Sequence, residues 1–238
     1  MSAVNLKVTL LSYTLDPEAV AAAAVNQCYS ARGGEELKEK ISPEKRGRLF
    51  EIVIGSGHLS TIEHASFTFA IEGVSRALTH QLVRHRVASF SQQSQRYVAL
   101  RNGEFGYIIP DKVAAQPELK QKFEQKMQEI GKFYDELLFA KIPAEDARSV
   151  LPNAAATKLV CTMNARELLH FFELRLCTRA QVEIRRLAVE MLKLVRPIAP
   201  QIFKYAGATC ETQKICWEGE LSCGKWKSIK GAEVRSRG

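Results

Sequence analysis

The densest set of side chains able to do chemistry lies within residues 81–97. Its members carry guanidinium, imidazole, amide or hydroxyl groups: Gln81, Arg84, His85, Arg86, Ser89, Ser91, Gln92, Ser94, Arg96 and Tyr97. Such groups form hydrogen bonds of fixed geometry to phosphates and nucleobases, whereas a solvated surface usually mixes both charge signs and uses lysine freely. The wider window of residues 73–103 has five arginines and no Asp or Glu. An acid-free cationic window suits a bound phosphate, so we predict a ligand site. A phosphate-facing nucleic-acid surface and an ordinary surface are the alternatives.

Ser94 raises the question of covalent catalysis. A serine nucleophile needs a base to take its proton, yet Ser94 lies among Gln92, Gln93, Gln95 and Arg96 with no adjacent carboxylate. His85 could serve as that base from across the loop. The missing adjacent base favours a ligand contact over a nucleophile, and both roles stay open.

The chain has six cysteines, at positions 28, 161, 177, 210, 216 and 223. None has the Cys-x-x-Cys spacing that is typical of zinc sites. The last three, spaced C-x5-C-x6-C, could hold a metal only if another ligand joined them from elsewhere; buried or idle thiols are the alternative. We therefore expect no metal site and assign no role to Cys210, Cys216 and Cys223.

The elements that must position these groups follow from periodicity and capping signals. Strands are predicted over residues 6–12, 66–71, 105–109 and 157–162, and helices over 16–28, 43–55, 74–86, 116–140, 164–176 and 180–195, with a short helix from Pro143 that carries Arg148. Gly33 and Gly34 predict a loop, residues 60–63 a short helical turn with capping-box spacing, and the polar run after residue 86 another loop. Strands and helices are mixed rather than alternating, which favours a single α+β domain with a mixed or antiparallel sheet flanked by long helices.

Composition limits the class of protein. The 238 residues, 46% hydrophobic and 25% charged, are ordinary for a globular protein. No apolar run reaches about 18 residues and the first residues lack a secretory signal, so we expect a cytoplasmic protein without membrane association.

The net charge of +8 includes a tail from residue 224 with five Lys or Arg and Glu233, which gives 5 − 1 = +4. A basic nucleic-acid-binding protein is the alternative, but no RRM, KH or C2H2 pattern is present.

Residues 84–97, RHRVASFSQQSQRY, resemble the signature of the flavin-dependent thymidylate synthases, which is Arg-His-Arg, seven residues, Ser and then Arg-Tyr. Residues 57–69 (GHLSTIEHASFTF), 164–175 (NARELLHFFELR), 180–185 (AQVEIR) and Arg148 in ARSVLP are similar to further segments of that family. The resemblance covers roughly residues 5–208. We therefore divide the chain into a family domain, residues 1–208, and a cysteine-containing basic extension of unknown role, residues 209–238.

This resemblance implies a methyltransferase of nucleotide biosynthesis. It would convert dUMP to dTMP, with 5,10-methylenetetrahydrofolate as one-carbon donor, FAD carrying the hydride and NADPH as reductant. Hydride delivery by reduced flavin would need no cysteine nucleophile, and the Pro-Cys-His context of the classical thymidylate synthases is absent from the sequence. The resemblance also implies a homotetramer whose active sites are shared between subunits.

The resemblance assigns roles to the residues of this sequence that match positions in the family's motifs. Cofactor binding is implied for His58, Ser60, Arg84, His85, Arg86, Gln92, Asn164, Ala165, Arg166 and His170, and substrate binding for Gln81, Leu82, Val83, Arg84, Gln92, Gln93, Ser94, Gln95, Arg96, Arg148 and Arg175. The same carry-over makes Arg175 the catalytic residue, a permanent cation that would stabilise negative charge on the uracil ring. An ion pair with Glu173 or a helix-end carbonyl is the alternative for Arg175, and a core histidine is the alternative for His58. Gln92 stands where many members have glutamate, His170 where some have asparagine, and Arg179 where a histidine can occur.

Overall fold

The computed structural model describes residues 2–100 and 105–228. Arg101 of the cationic window and the basic tail from residue 229 onward therefore lie outside the described residues. Helices within the described part are α1 Pro17–Gln27, α2 Gly34–Lys40, α3 Pro43–Gly55, α4 Arg76–Leu82, α5 Asp111–Ala114, α6 Pro117–Phe139, α7 Ala144–Ala147, α8 Ala165–Arg175, α9 Val182–Val195, α10 Pro200–Phe203 and α11 Thr209–Gln213. Short 3₁₀ turns occupy Leu59–His64, Arg148–Val150 and Gly219–Leu221.

Within the same described residues, six strands form two sheets. The strands are β1 Ser2–Ala3, β2 Lys7–Tyr13, β3 Ser66–Ser75, β4 Ala88–Gln92, β5 Gly106–Tyr107 and β6 Ala156–Asn164. Strands β1 and β5 pair in parallel, and the larger sheet has the order β2-β3-β6-β4. Strand β3 runs antiparallel to β6, since Arg76 N–H donates to Ala155 O at one end while Thr68 and Thr162 hydroxyls meet at 3.0 Å further along. The predicted α+β class is confirmed.

Local signals located most of these elements. Ser42 caps α3 by accepting from Lys45 N–H, Pro43 occupies its first turn, and Asn164 caps α8 by accepting from Glu167 N–H. Each cap satisfies a helix-end donor that has no partner within the helix. The predicted boundaries of α1, α6, β6, α8 and α9 are confirmed to within a few residues.

Three predictions of local structure are wrong. The helix predicted from residue 74 begins only at Arg76 and ends at Leu82, because β3 continues to Ser75. The polar run predicted as a loop contains β4, whose ASFSQ sequence is drawn into extended form by pairing beside β6. The glycines predicted as a loop open α2: Gly33 is its N-cap residue and Gly34 its first residue.

The chain divides into two compact units. The first unit comprises the residues up to Thr9 together with Ala70–Cys161, and the second comprises Leu10–Phe69 together with the chain from Thr162 onward. Strands β2, β3 and β6 each contribute residues to both units. The division therefore falls within strands rather than in a linker, and the boundary predicted at residue 208 remains a prediction.

Each unit has its own apolar core. In the first unit Phe105, Tyr107, Met127 and Ala155 form a buried cluster. In the second unit the ring of Phe203 packs edge-on against those of Phe67, at 5.4 Å, and Phe172, at 6.1 Å. These contacts fix the rotation of α8 about its axis. No helix among the described residues is both long enough and apolar enough to cross a membrane.

Candidate functional site

Helix α4 carries the first predicted ligand groups, and its start depends on a glycine. Gly73 has φ +66°, and a Cβ at this position would lie 1.9 Å from the main-chain oxygen of Asn5. Only glycine adopts this conformation without strain and leaves room for the neighbouring chain. Two residues later Ser75 Oγ accepts from Leu78 N–H at 3.0 Å and caps the helix.

The predicted site residues at the end of α4 differ in their exposure to solvent. Gln81 is half-buried, while Val83 and Arg84 are exposed. Leu82 is fully buried, so its side chain belongs to the core and any ligand contact must use its main chain. His85 N–H donates to Leu82 O at 3.1 Å and turns the chain, which leaves His85 3% exposed between the exposed Arg84 and Arg86.

Gln92, on β4, has a fixed orientation. Its amide nitrogen donates to Thr79 Oγ1 at 3.2 Å and to Thr157 Oγ1 at 3.3 Å. The neighbouring Gln93 N–H donates to Lys158 O at 2.9 Å, which holds this part of the chain against β6. The two donors of the Gln92 amide are thereby used, and its carbonyl oxygen is the atom that it can offer to a ligand. A glutamate could not donate in this way.

The loop after β4 is tightly turned. Ser94 Oγ accepts from Arg96 N–H at 3.2 Å, and Ser94 O accepts from Val98 N–H at 3.0 Å. Gln95 points its amide nitrogen inward, where it is buried without a hydrogen-bond partner among the described residues. An unpaired buried amide costs about 1–3 kcal/mol, so a ligand acceptor at this position would be favourable.

Arg96 and Arg148 are linked through one acidic residue. Arg96 Nε donates to the Glu145 carboxylate at 2.6 Å, and Arg148 Nε donates to the Glu145 main-chain oxygen at 3.1 Å. The window of residues 73–103 contains no Asp or Glu, but in the folded chain Glu145 contacts Arg96 of that window. Folding thus brings together two arginines that the sequence predicted as nucleotide ligands.

Arg76 is a candidate that the sequence reasoning did not single out. It is half-buried at the start of α4, and burial first, then the positive charge of Arg148, lowers the pKa of its guanidinium. Two arginines close enough to repel each other form a favourable place for an anion. The only sequence signal was membership in the arginine-rich window. We refer to Arg76, Arg96 and Arg148 as the arginine cluster.

The second unit contains the remaining predicted residues, beginning with the 3₁₀ turn Leu59–His64. His58 is its N-cap residue and both His58 and Ser60 are exposed, so the alternative of a core histidine at 58 is wrong. The turn itself was predicted over residues 60–63, but it begins earlier: its N-cap residue is His58, which has no side-chain cap, and Thr61 donates to His58 O at 3.3 Å.

Helix α8 places three predicted cofactor residues beside this turn. Ala165 N–H donates to Ala65 O at 2.7 Å, and Arg166 forms a 2.5 Å ion pair with Glu63. Arg166 and His170 are both exposed, as expected for residues four apart on one helix face. Asn164 uses its side-chain oxygen as the helix cap, so its amide nitrogen is the group available to a ligand.

Arg175 is the last residue of α8 and is half-buried. Burial lowers the pKa of its guanidinium, which means that the charged form is only partly hydrated there. Burial also raises the pKa of Glu173, against an opposing effect of His170. Residues two apart face different sides of a helix, so Glu173 and Arg175 are poorly placed to pair. A partly dehydrated cation acts more strongly on a ligand than one in bulk water.

The part of the chain that contains these site residues matches known proteins. Residues 9–201 match the model of the family described as thymidylate synthase complementing protein. The chain belongs to this family. A flavin-dependent thymidylate synthase of Geobacter sulfurreducens is 53% identical over 225 residues, which cover 94% of this chain and 97% of that protein. One of Clostridium tetani is 48% identical over 242 residues, covering 95% and 96%.

A solved structure shares the fold of this family member. It is the UMP/dUMP methylase PolB of Streptomyces cacaoi, crystallised with 5-Br dUMP, at TM-score 0.72 and 25% identity. The match covers 87% of this chain and 97% of that one. Family membership decides between the two functional classes left open by the sequence, in favour of the enzyme.

Proposed function

We propose that this protein is a flavin-dependent thymidylate synthase that methylates dUMP at carbon 5 to form dTMP. Its one-carbon donor is 5,10-methylenetetrahydrofolate, its cofactor is FAD and its reductant is NADPH. Its relatives are flavin-dependent thymidylate synthases, which supports a flavin and a thymidylate product, and PolB is a UMP/dUMP methylase crystallised with 5-Br dUMP, which supports a dUMP-type substrate. The observation in the structure that carries the proposal is the arginine cluster, because it is a site for a phosphate dianion.

The arginine cluster binds the 5′-phosphate of dUMP. A phosphate between Arg76 and Arg148 replaces the repulsion of two cations by two charge-assisted contacts. Arg96 joins them when the phosphate displaces the Glu145 carboxylate from its guanidinium. Arginine suits this role because it keeps its charge when partly buried and presents several donors to the phosphate oxygens.

Polar groups near the cluster bind the rest of the nucleotide. Gln95 supplies the buried amide donor that has no partner among the described residues, and Gln92 supplies a carbonyl acceptor. Gln93 and Ser94 add side-chain contacts, while Gln81, Leu82, Val83 and Arg84 line the approach, Leu82 through its main chain. Such a set of donors and acceptors matches the edges of a pyrimidine and its sugar hydroxyl.

The flavin fits the predicted polar groups of each unit. In the second unit, the exposed face of α8 offers Arg166 and His170, with the Asn164 amide and Ala165 at its start and His58 and Ser60 on the adjoining turn. In the first unit, Arg84 and Arg86 offer exposed cationic groups, His85 is buried between them, and Gln92 offers its amide carbonyl. These donors suit the phosphates and ring carbonyls of FAD. When bound, the flavin supplies the hydride that completes the new methyl group.

Arg175 activates the pyrimidine. A half-buried guanidinium beside the uracil stabilises negative charge that develops when the ring nitrogen 3 loses its proton. The resulting electron density makes carbon 5 more reactive toward the one-carbon unit. Arg175 holds a permanent charge, so it stabilises the anionic ring rather than removing the proton itself.

The proposed reaction uses no covalent enzyme nucleophile. Ser94 Oγ accepts a hydrogen bond from Arg96 N–H within its own turn, and the surrounding charge is cationic. That environment suits contact with an anionic ligand. Among the described residues, no carboxylate or imidazole is hydrogen-bonded to Ser94 Oγ to take the proton from its hydroxyl.

We also propose that the protein assembles as a homotetramer with active sites shared between subunits. Large apolar side chains stand in solvent on this chain, including Phe139 at 92% exposed and Tyr29 at 89% exposed. Exposed apolar side chains that form a contiguous patch are frequently covered by partner subunits. Light scattering after size-exclusion chromatography tests the assembly directly.

The assay that tests the activity is tritium release from dUMP labelled at carbon 5. Methylation replaces the hydrogen at this position, so the labelled hydrogen appears in water. Release that requires methylenetetrahydrofolate, FAD and NADPH together, with dTMP as product, supports the proposal. A colourless protein that gains no flavin on incubation and releases no tritium would refute it.

A further inference from the structure

Four of the six cysteines gather in one region of the second unit. Cys177 follows the last turn of α8, Cys210 lies in α11, and Cys216 and Cys223 follow α11 in the chain. All four are free thiols: Cys216 is buried, Cys177 and Cys210 are half-buried, and Cys223 is exposed. Sequence spacing left the last three without a fourth ligand, and the fold supplies Cys177.

Several contacts hold the late cysteines against the end of α8. Thr209 Oγ1 donates to Glu173 O at 3.4 Å, and Arg179 pairs with Glu218 at 3.8 Å. Lys225 forms an ion pair with Glu211, next to Cys210. The segment is closed at its far end where Cys216 N–H donates to Lys227 O at 2.9 Å. These contacts therefore involve residues that lie close in sequence to each of the four cysteines.

Two of the sulfurs accept main-chain hydrogen bonds of the same type. Arg179 N–H donates to Cys177 Sγ at 3.5 Å, and Lys225 N–H donates to Cys223 Sγ. In each case the donor lies two residues after the cysteine. The Thr178 hydroxyl, one residue after Cys177, also donates to Cys223 Sγ. Amide donors aimed at sulfur stabilise the thiolate, which is the form that binds metals.

The thiols of Cys177, Cys216 and Cys223 all lie near enough to the Cys210 thiol to act on it electrostatically. Lys225 lies in the same region, where it pairs with Glu211. Four thiolates held together in this way would repel each other, and a divalent cation among them would remove that repulsion.

We propose that Cys177, Cys210, Cys216 and Cys223 bind one zinc ion as a closed tetrathiolate site. Four sulfur ligands with no open position are typical of structural zinc sites. Binding Zn²⁺ releases the four thiol protons and leaves a site of net charge −2, beside Lys225 and Arg179. Among the described residues no three of these sulfurs lie within 4.8 Å of one another, so the side chains must rotate inward around the ion.

The site has a structural role next to the proposed chemistry. It fastens the segment from Thr209 to Ser228 to the chain just after Arg175, the last residue of α8. An ion at this position restricts the movement of that helix end. Zinc loss is therefore expected to loosen the C-terminal segment first, whether or not the proposed activity is correct.

Metal analysis of the full-length protein, purified without chelators under reducing conditions, tests the proposal. We expect about one zinc per chain, and a loss of more than about tenfold in Cys177→Ser, Cys210→Ser and Cys223→Ser. Cys28→Ser is the matched control, since Cys28 is an exposed thiol outside the cluster, and it should keep its zinc. Cys177→Ser is the most informative variant, because sequence spacing alone would not include this residue.

A second measurement does not depend on how the variants fold. Titrating the wild-type protein with an organomercurial should release zinc in step with modification of four thiols, and X-ray absorption should show about four sulfur ligands near 2.3 Å. Zinc retained at full level in Cys177→Ser would overturn the proposal. So would iron with sulfide in place of zinc, disulfide-linked cysteines, or failure of the reduced protein to take up zinc or cobalt.

Discussion

Arg96 Nε donates to the Glu145 carboxylate at 2.6 Å, although no acidic residue lies near Arg96 in sequence. Glu145 also accepts from Arg148 through its main-chain oxygen, so one residue touches two members of the arginine cluster. The carboxylate occupies the position on Arg96 that we propose for the phosphate of dUMP. In the proposed complex one anion therefore replaces another at Arg96.

Glu145→Gln should strengthen dUMP binding modestly. The side chains of Arg96 and Glu145 are 55% and 46% exposed, and an ion pair in such a setting contributes less than about 1 kcal/mol. Its removal should therefore lower the Kd for dUMP by at most about fivefold, with the largest effect at low salt. Glu129→Gln, which breaks the exposed pair with Lys126, is the control and should leave the Kd unchanged. Calorimetric titration that finds weaker binding in Glu145→Gln would show that Glu145 orders the arginines instead.

Arg175→Ala should lose turnover while keeping its flavin. Removing one group that stabilises developing negative charge typically costs about 10²–10³ in kcat. Arg175→Lys should recover part of this loss, because it keeps the cation but not the planar donor geometry. Tritium release measures turnover and visible absorption measures bound flavin, with Arg32→Ala, a surface substitution, as control. Normal kcat in Arg175→Ala would exclude the activating role.

Local patterns predicted helix caps and long amphipathic helices well, because Ser42 and Asn164 act within a few residues of sequence. They could not predict that Arg76 meets the charge of Arg148, since this depends on the pairing of β3 with β6. Local patterns likewise could not predict that Cys177 lies near Cys210, Cys216 and Cys223, because this also depends on the fold. The motif of residues 84–97 indicated the family, but Glu145 became visible only in the fold.

Ser94→Ala separates ligand contact from covalent catalysis. Ser94 Oγ accepts from Arg96 N–H, so its loss loosens the turn and should raise KM for dUMP more than it lowers kcat. We expect a fall in kcat/KM of less than about 100-fold, whereas loss of an essential nucleophile costs about 10⁴ or more. Ser91→Ala, at an exposed position of β4, is the control. An inactive Ser94→Ala variant that still binds dUMP would restore the nucleophile hypothesis.

Glu173→Gln should stabilise the protein at neutral pH. Burial raises the folded-state pKa of Glu173 above its ordinary value of 4.5, against the smaller effect of His170. A raised carboxyl pKa makes ionised Glu173 unfavourable in the folded state, so stability is lost as the pH rises through the folded pKa. The advantage of Gln should be present at pH 7 and vanish below about pH 4. Thermal unfolding over this range measures it, with Glu190→Gln as control; a gain that persists at low pH would rule out the ionisation mechanism.

Gly73→Ala should destabilise the fold and weaken nucleotide binding together. The new Cβ would lie 1.9 Å from Asn5 O, and the residue would have to keep φ at +66°. Relief of this clash must shift β3 just before α4, whose first residue is Arg76. We expect the free energy of unfolding to fall by more than about 2 kcal/mol and the Kd for dUMP to rise. Gly55→Ala is the matched control, because a Cβ there meets nothing within 4 Å, and chemical denaturation should show a change below about 1 kcal/mol. Equal stability of the two variants would mean that the β3–α4 junction tolerates a side chain and does not fix Arg76.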